Sequence, residues 1–443
     1  MQALRGASAE GLDPSHYPVA EIDAALARMP DPDARQWAER VLTAAFAQYA
    51  HDLLIPSGQN ATTFVDAELA PQMPDISMLA ASTSPVESLL GLQRHNVLYN
   101  DLRTGLGWYR EHFGSLPQDP ISSGPALRLG SVGQRVAQLR LRLGLSTASG
   151  QPQRFDEALG RAVQDFRRIH GLAPAPVADA ATIDALNAGA EHYEKLIAAN
   201  MDRTRGLPGD GRRYIVVDVA GAQLKMIADG QQVDEMRVVV GKRDMKTPEM
   251  AGLIRFAMVN PYWNVPPDLV RNSIAPDVIR KGPSELERRR LALFSDWSSY
   301  DRLPPEQINW RDVAAGRADV WVRQLPGGDN MMGKVKFMLP NNLGIYLHDT
   351  PLKFHFEQSD RWLSSGCVRL QDAPRLARWL FGGASLPESD AVDVQIDLPQ
   401  PVPVYITYLT AVRRNGEIVF QNDVYGRDRD LVAQLANPVT TQG

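Results

Sequence analysis

The chain has 443 residues, enough for roughly two to four domains, because a single hydrophobic core stops growing well below that length. Apolar residues make up 44% and charged residues 22%, an ordinary globular balance, and no run approaches the roughly 20 apolar residues of a membrane span. A net charge of −5 without a Lys/Arg-rich stripe argues against a nucleic-acid surface, and a single cysteine excludes an internal disulfide. No Cys, His or carboxylate cluster has metal-site spacing, so neither a metal nor another cofactor is expected. The opening MQALRGASAEGLDPSHYP lacks the apolar core of a secretory leader, which fits a cytosolic protein or a mature exported form.

Residues 1–120 read as a helical scaffold. In DPDARQWAERVLTAAFAQYAHDLL, Asp31 is placed to cap a helix and Pro32 suits its first turn. Trp37, Val41, Ala45, Tyr49 and Leu53 recur every four residues, predicting one buried face. Ser84 to Glu87 has capping-box form, and the helical pattern after it is interrupted by Gly105 and Gly107. Residues 125–189 predict three helices. Val132, Val136, Leu139 and Leu143 share one face, and Leu159, Ala162, Val163, Phe166 and Ile169 another, while DAATIDALN closes the bundle with Asp179 as its cap. A helix over about 188–205 is expected to complete the scaffold.

At residue 213 the period changes. RYIVVDVAGAQLKMIADGQQVDEMRVVVGKRD alternates in short apolar runs broken at Ala220-Gly221 and Asp229-Gly230, which predicts strands joined by tight turns. The expected fold class is therefore α+β and multidomain, with a β-rich catalytic domain over 212–426. An insertion at about 265–332, in which SELERRRLALFSD looks helical, is long enough to be a subdomain and is placed to serve as a lid. Strands return in KVKFMLP and GIYLHD, DAPRLARWLF predicts a helix, and Asn415-Gly416 marks a hairpin. Residues 427–443 are left as a C-terminal tail.

The one cysteine lies in YLHDTPLKFHFEQSDRWLSSGCVRLQD. A catalytic cysteine needs a base, a turn that presents its sulfur, and N–H groups aimed at a developing oxyanion. Cys367 is preceded by Ser364, Ser365 and Gly366, and His348 ends a predicted strand nineteen positions earlier. Gly366 permits a tight turn beside the sulfur, so the Cys367 N–H can face a carbonyl oxygen. A buried structural thiol, the ordinary fate of a free cysteine, needs none of these neighbours. His355, inside the intervening loop, is the lesser candidate base. At neutral pH a free thiol is only a few per cent thiolate, so a paired imidazole is worth about 10²- to 10⁴-fold.

HDTP followed by SSGCVRLQD resembles the catalytic signature of the L,D-transpeptidases, cysteine enzymes with a YkuD-type β-rich domain that remodel bacterial cell-wall peptides. YIVVDVAGAQLKMI, VVVGKRDMKTPEM, NPYWNVPP and GKVKFMLPNNLGIYLHDTP also look like that family, and LRLGSVGQRVAQLRLRLG, AVQDFRRIHGL and DAATIDALN resemble a peptidoglycan-binding-like three-helix module. The whole arrangement is similar to the large periplasmic members of Gram-negative bacteria. The resemblance implies Cys367 as nucleophile, His348 as base, and Gly366 with Ser365 at the oxyanion turn. It leaves Arg369 to brace the loop or hold a substrate carboxylate, with bracing favoured, and Tyr346 either to reach the site or to pack. Ser364 shapes the turn, and Trp263 stands at the entrance of the insertion.

Asp349 and Ser365 stand where many members have glycine and histidine, so no second histidine flanks the cysteine. The activity so implied is 3→3 cross-linking of peptidoglycan stem peptides through a thioester, with carbapenem-type inhibitors acylating Cys367. L,D-carboxypeptidase hydrolysis and a non-catalytic wall-binding scaffold are the alternatives. A periplasmic location with an export segment upstream, and D,D-carboxypeptidases as suppliers of donor peptide, follow from the substrate.

Overall fold

The computed structural model describes residues 1–28, 31–57, 62–94, 96–145, 152–298, 301–387, 389 and 391–436. The chain divides into two compact units, one of Met1–Gly221, Lys225–Asp234 and Tyr405–Gly443, the other of Ala222–Leu224 and Glu235–Val404. No helix among the described residues is long and apolar enough to cross a membrane.

The first unit is mainly helical. Its longest helix, Pro32–Leu54, starts where Asp31 accepts the Asp33 N–H at 3.0 Å, and proline occupies the first turn, where no N–H is needed. The buried stripe runs through Ala34, Ala38, Ala45, Tyr49 and Leu53, whereas Trp37 is exposed. Trp37 lies one position, about 100° of helix, off that stripe, and small alanines fill the early turns instead. Val97–Tyr109 continues unbroken through Gly105 and Gly107. Gly105 is there for proximity, since a Cβ on it would stand 2.7 Å from the Ile418 Cδ1.

Ile418 belongs to a hairpin, Ala411–Arg414 and Glu417–Phe420, turned at Asn415 and Gly416 with φ of 51° and 88°. Sequence placed this hairpin in the catalytic half. Ala411, Ile418 and Phe420 instead join Tyr49, Tyr99, Tyr109 and Ile197 in the core of the helical unit. The segment expected as a tail is helical over Asp428–Ala436, and its last residues lie outside the described ones.

Within the same unit, Gln134–Arg142, Glu157–Ile169 and Ala180–Ala188 form three helices around Val136, Leu139, Leu159, Val163, Phe166, Ile183 and Leu186. Asp179 caps the third by accepting the Thr182 N–H at 3.0 Å. Val132 is exposed, because it precedes the first helix and takes part in a short bridge with Arg154.

The second unit is built on strands β1 (Gln231–Gly241, in this unit from Glu235), β2 (Met250–Val259), β3 (Val335–Met338), β4 (Leu347–His348), β5 (Trp362–Ser364) and β6 (Val368–Leu370). In spatial order β2, β3, β4, β6 and β1 lie side by side, with β5 also against β1. All neighbours on this path are antiparallel except β4 and β6. Parallel neighbours need a crossover of a dozen or more residues, and this requirement sets the length of the loop between His348 and Cys367.

Between β2 and β3 lies a subdomain with its own four-stranded sheet and a core of Val265, Val270, Ile274, Val278, Leu286, Leu293, Trp310 and Val322. The expected helix SELERRRLALFSD is helical only over Ser284–Arg288 and becomes a strand at Leu291–Phe294. There Leu291 and Leu293 pair opposite Gln324 and Val322, so sheet pairing overrides the local helical preference.

Candidate active site

Register places the candidate residues. β4 and β6 pair with Leu347 opposite Val368 and His348 opposite Arg369. Because side chains alternate along a strand, Leu347, Val368 and Leu370 enter the core, all fully buried, and Tyr346, His348, Cys367 and Arg369 share the other face. On the next strand Lys336 lies opposite His348, and its neighbour Phe337 is again core. One face thus carries a row of Lys336, His348 and Arg369 beside Tyr346 and Cys367. Parallel pairing thus puts residues nineteen positions apart on one face.

The turn before Cys367 is held by hydrogen bonds on both sides. Gly366 has φ of 118°, a conformation that side chains rarely adopt, and its carbonyl accepts the Thr247 hydroxyl at 2.7 Å. Thr247 in turn accepts the Gly241 N–H at 2.8 Å. The buried Ser364 hydroxyl donates to the Cys367 carbonyl at 2.6 Å and accepts the Gly366 N–H at 3.1 Å. Ser365 is exposed. The Cys367 N–H donates to none of the described residues, which leaves it available to a substrate oxygen.

The His348 ring is buried and its Nδ1–H donates to the Asp349 carbonyl at 2.5 Å. A carbonyl can only accept, so the proton is on Nδ1 and Nε2 carries the basic lone pair. The Asp349 carboxylate accepts the Lys334 N–H at 2.9 Å and the Lys353 ammonium at 2.7 Å, and Lys353 also donates to Gln371 O at 2.9 Å. Gly333 leaves room for that carboxylate, for a Cβ there would collide with it. Aspartate after the motif histidine therefore anchors the carbonyl that orients the imidazole.

In this resting arrangement the Cys367 thiol donates to Gly344 O at 3.4 Å. Among the described residues no hydrogen bond joins Cys367 to His348. Burial pushes the thiol above its usual value, opposed by the Tyr346 hydrogen bonds and the Arg369 charge. Burial, aided by the Arg369 charge, holds His348 down to about 3. Both groups are therefore neutral at rest.

Of the sequence candidates, Cys367, His348, Gly366, Ser364, Tyr346 and Arg369 come together. Tyr346, left open between packing and reaching the site, lies beside Cys367 on the shared face. The Arg369 guanidinium donates no hydrogen bond to a described residue, and its charge bears on both Cys367 and His348. His355 lies in the short helix Lys353–Glu357, stacked near Phe354. Trp263 pairs with Gln324 in the inserted sheet and lines a cleft of about 260 Å³ with Val265, Leu269 and Arg289. Thr247, Lys353, Lys336 and the Asp349 carbonyl were not singled out from sequence. Only the aspartate in place of glycine hinted at any of them.

Residues 212–404 match the family model described as the L,D-transpeptidase catalytic domain, and residues 1–106 match a scaffold-domain model. A Haemophilus influenzae protein named "Putative L,D-transpeptidase" is 31% identical over 242 residues, 53% of this chain and 48% of that one. The chain thus spans about half the length of the curated relative it matches. Among solved structures, an L,D-transpeptidase from Mycobacterium smegmatis is 12% identical over 44% of this chain and 58% of its own, with a TM-score of 0.20. An L,D-transpeptidase from Xylanimonas cellulosilytica is 14% identical over 65% of this chain and 100% of its own, with a TM-score of 0.18.

Proposed function

Since residues 212–404 form a catalytic domain of the L,D-transpeptidase family, we propose that the protein cross-links peptidoglycan stem peptides through a Cys367 thioester. The observation that carries this reading is the shared face of Cys367 and His348, with Nδ1 of the imidazole committed to the Asp349 carbonyl and Nε2 left as base.

In the first step the Cys367 sulfur attacks the carbonyl of the L-centre of diaminopimelate in a tetrapeptide stem. His348 Nε2 takes the thiol proton and gives it to the departing amine, so the S–C bond forms, the C–N bond breaks, and D-alanine leaves as a neutral amine. The Cys367 N–H, positioned by the Gly366 turn, meets the developing oxyanion. In the second step the side-chain amine of another stem attacks the thioester and passes its proton through His348 back to the sulfur, giving a 3→3 cross-link.

The inserted subdomain acts as a lid that limits water at the thioester. The three-helix module resembles a wall-binding element and keeps the enzyme on its polymer. Such a substrate requires the periplasm, with a D,D-carboxypeptidase to supply tetrapeptide stems, and carbapenems acylate the same sulfur.

Incubation with purified tetrapeptide muropeptides, with products weighed by mass spectrometry, tests this reading. Cross-linked dimers are expected, and none from Cys367→Ala. Tripeptides alone would move the assignment to an L,D-carboxypeptidase, which passes the same acyl-enzyme to water. Unaltered substrate and an unmodified Cys367 would overturn both.

A further inference from the structure

Lys336 has no place in the chemistry just described, yet it stands directly beside the proposed base. It lies opposite His348 in register on β3, and Arg369 lies opposite His348 on the other side, so two cations flank one imidazole. Among the described residues neither cation has a hydrogen-bonded acid, and Lys336 has one long ion pair. The nearest acid to the Lys336 ammonium is Asp393 at 3.9 Å, beyond hydrogen-bond reach, and the Asp393 Oδ1 already accepts the Tyr262 N–H at 3.0 Å. The Lys336 side chain is only 15% exposed. Burial pulls its pKa down, an effect the Asp393 charge opposes and the Arg323 charge reinforces. A largely buried ammonium without a hydrogen-bonded acid is costly unless an anion arrives to use it.

The order of strands indicates which anion. Passing from Cys367, just before β6, to His348 on β4 to Lys336 on β3 crosses the sheet in one direction. The proposed substrate is laid out in the same order. Its attacked carbonyl is at Cys367, its leaving amine at His348, and the carboxylate of the departing residue comes one carbon beyond that amine. Adjacent strands are about 4.8 Å apart, a step that suits this short fragment. Arg369, on β6 two residues after Cys367, lies on the acyl side instead.

We infer that the Lys336 ammonium binds the free α-carboxylate of the residue expelled from the donor peptide. Lys336 is then a specificity residue: it selects donors that end one residue beyond the attacked carbonyl, and it draws the departing amine toward His348. Longer stems put a neutral peptide group where the ammonium needs charge. This inference rests on the transpeptidase reading and extends it to a substrate group.

The test compares acylation of the unaltered enzyme by a tetrapeptide stem with a free C-terminal carboxylate and by the same stem ending in a carboxamide. A charged hydrogen bond predicts kcat/KM for the acid roughly 10- to 100-fold above the amide. In Lys336→Met that ratio contracts toward one, and in Lys336→Arg most of it returns. Equal acylation of acid and amide by the unaltered enzyme overturns the role of Lys336 and leaves the transpeptidase reading standing. Acylation by neither overturns both. The comparison on the unaltered enzyme needs no variant, so a poorly folding Lys336→Met does not obscure the answer.

Discussion

Tyr346 and Cys367 each stand one residue before the paired parallel strands, and the tyrosine hydroxyl favours the thiolate against the effect of burial. Removing that donor in Tyr346→Phe takes stabilisation from the thiolate only, so the thiol titrates at still higher pH. Iodoacetamide alkylation of Cys367, followed from pH 6 to 10, is expected to shift its midpoint upward and to slow roughly three- to tenfold near neutrality, the worth of one hydrogen bond. An unshifted profile would mean that Tyr346 merely packs. His348 and Cys367 were legible in sequence because few residue types do this chemistry. The anchoring of Asp349 by Lys353 and Lys334 was not, since its partners are set by strand register and a loop fold that no local pattern encodes.

At the scale of elements, close approach explains what periodicity misread. Gly105 looked like a break in a helix, yet it is the point where the helix Val97–Tyr109 meets the hairpin at Ile418. Gly105→Ala is expected to destabilise the protein by about 1–3 kcal/mol through overpacking, although alanine is the better helix former. Ile418→Val, which removes the offending Cδ1, should recover part of that loss in a double-mutant cycle read by urea unfolding. Additive effects would show that the two residues do not compete for space. The three helices of the module and the caps at Asp31 and Asp179 were plain from periodicity and residue type. The strand at Leu291–Phe294 was hidden, because its partner at Trp321–Gln324 is about thirty residues away in sequence.

For the molecule as a whole, each unit carries one deeply buried neutral histidine. His348 is held down to about 3 chiefly by burial in one unit. His170 is held to about 3 by burial in the other, where its Nδ1–H donates to Phe166 O at 2.8 Å and its Nε2 pairs with the Tyr109 hydroxyl at 3.0 Å. In the unfolded chain both titrate near 6.5, so between about pH 6.5 and 3 the unfolded state binds more protons than the folded one. Stability is therefore complete above that window and falls as pH drops through it, by at most about 1.4 kcal/mol per pH unit for each histidine. Urea melts at pH 7 and pH 5 should show the decline, and His170→Phe should show a smaller one despite lower stability at pH 7. Equal declines in both proteins would remove His170 from the account.

The chain contains one cysteine, and that cysteine lies at the candidate site, partly open to solvent. On the proposed chemistry, any thiol-directed label then counts candidate sites, one equivalent per chain, and protection from label by a peptide or a β-lactam is expected to read occupancy with no background from another cysteine of this chain to subtract.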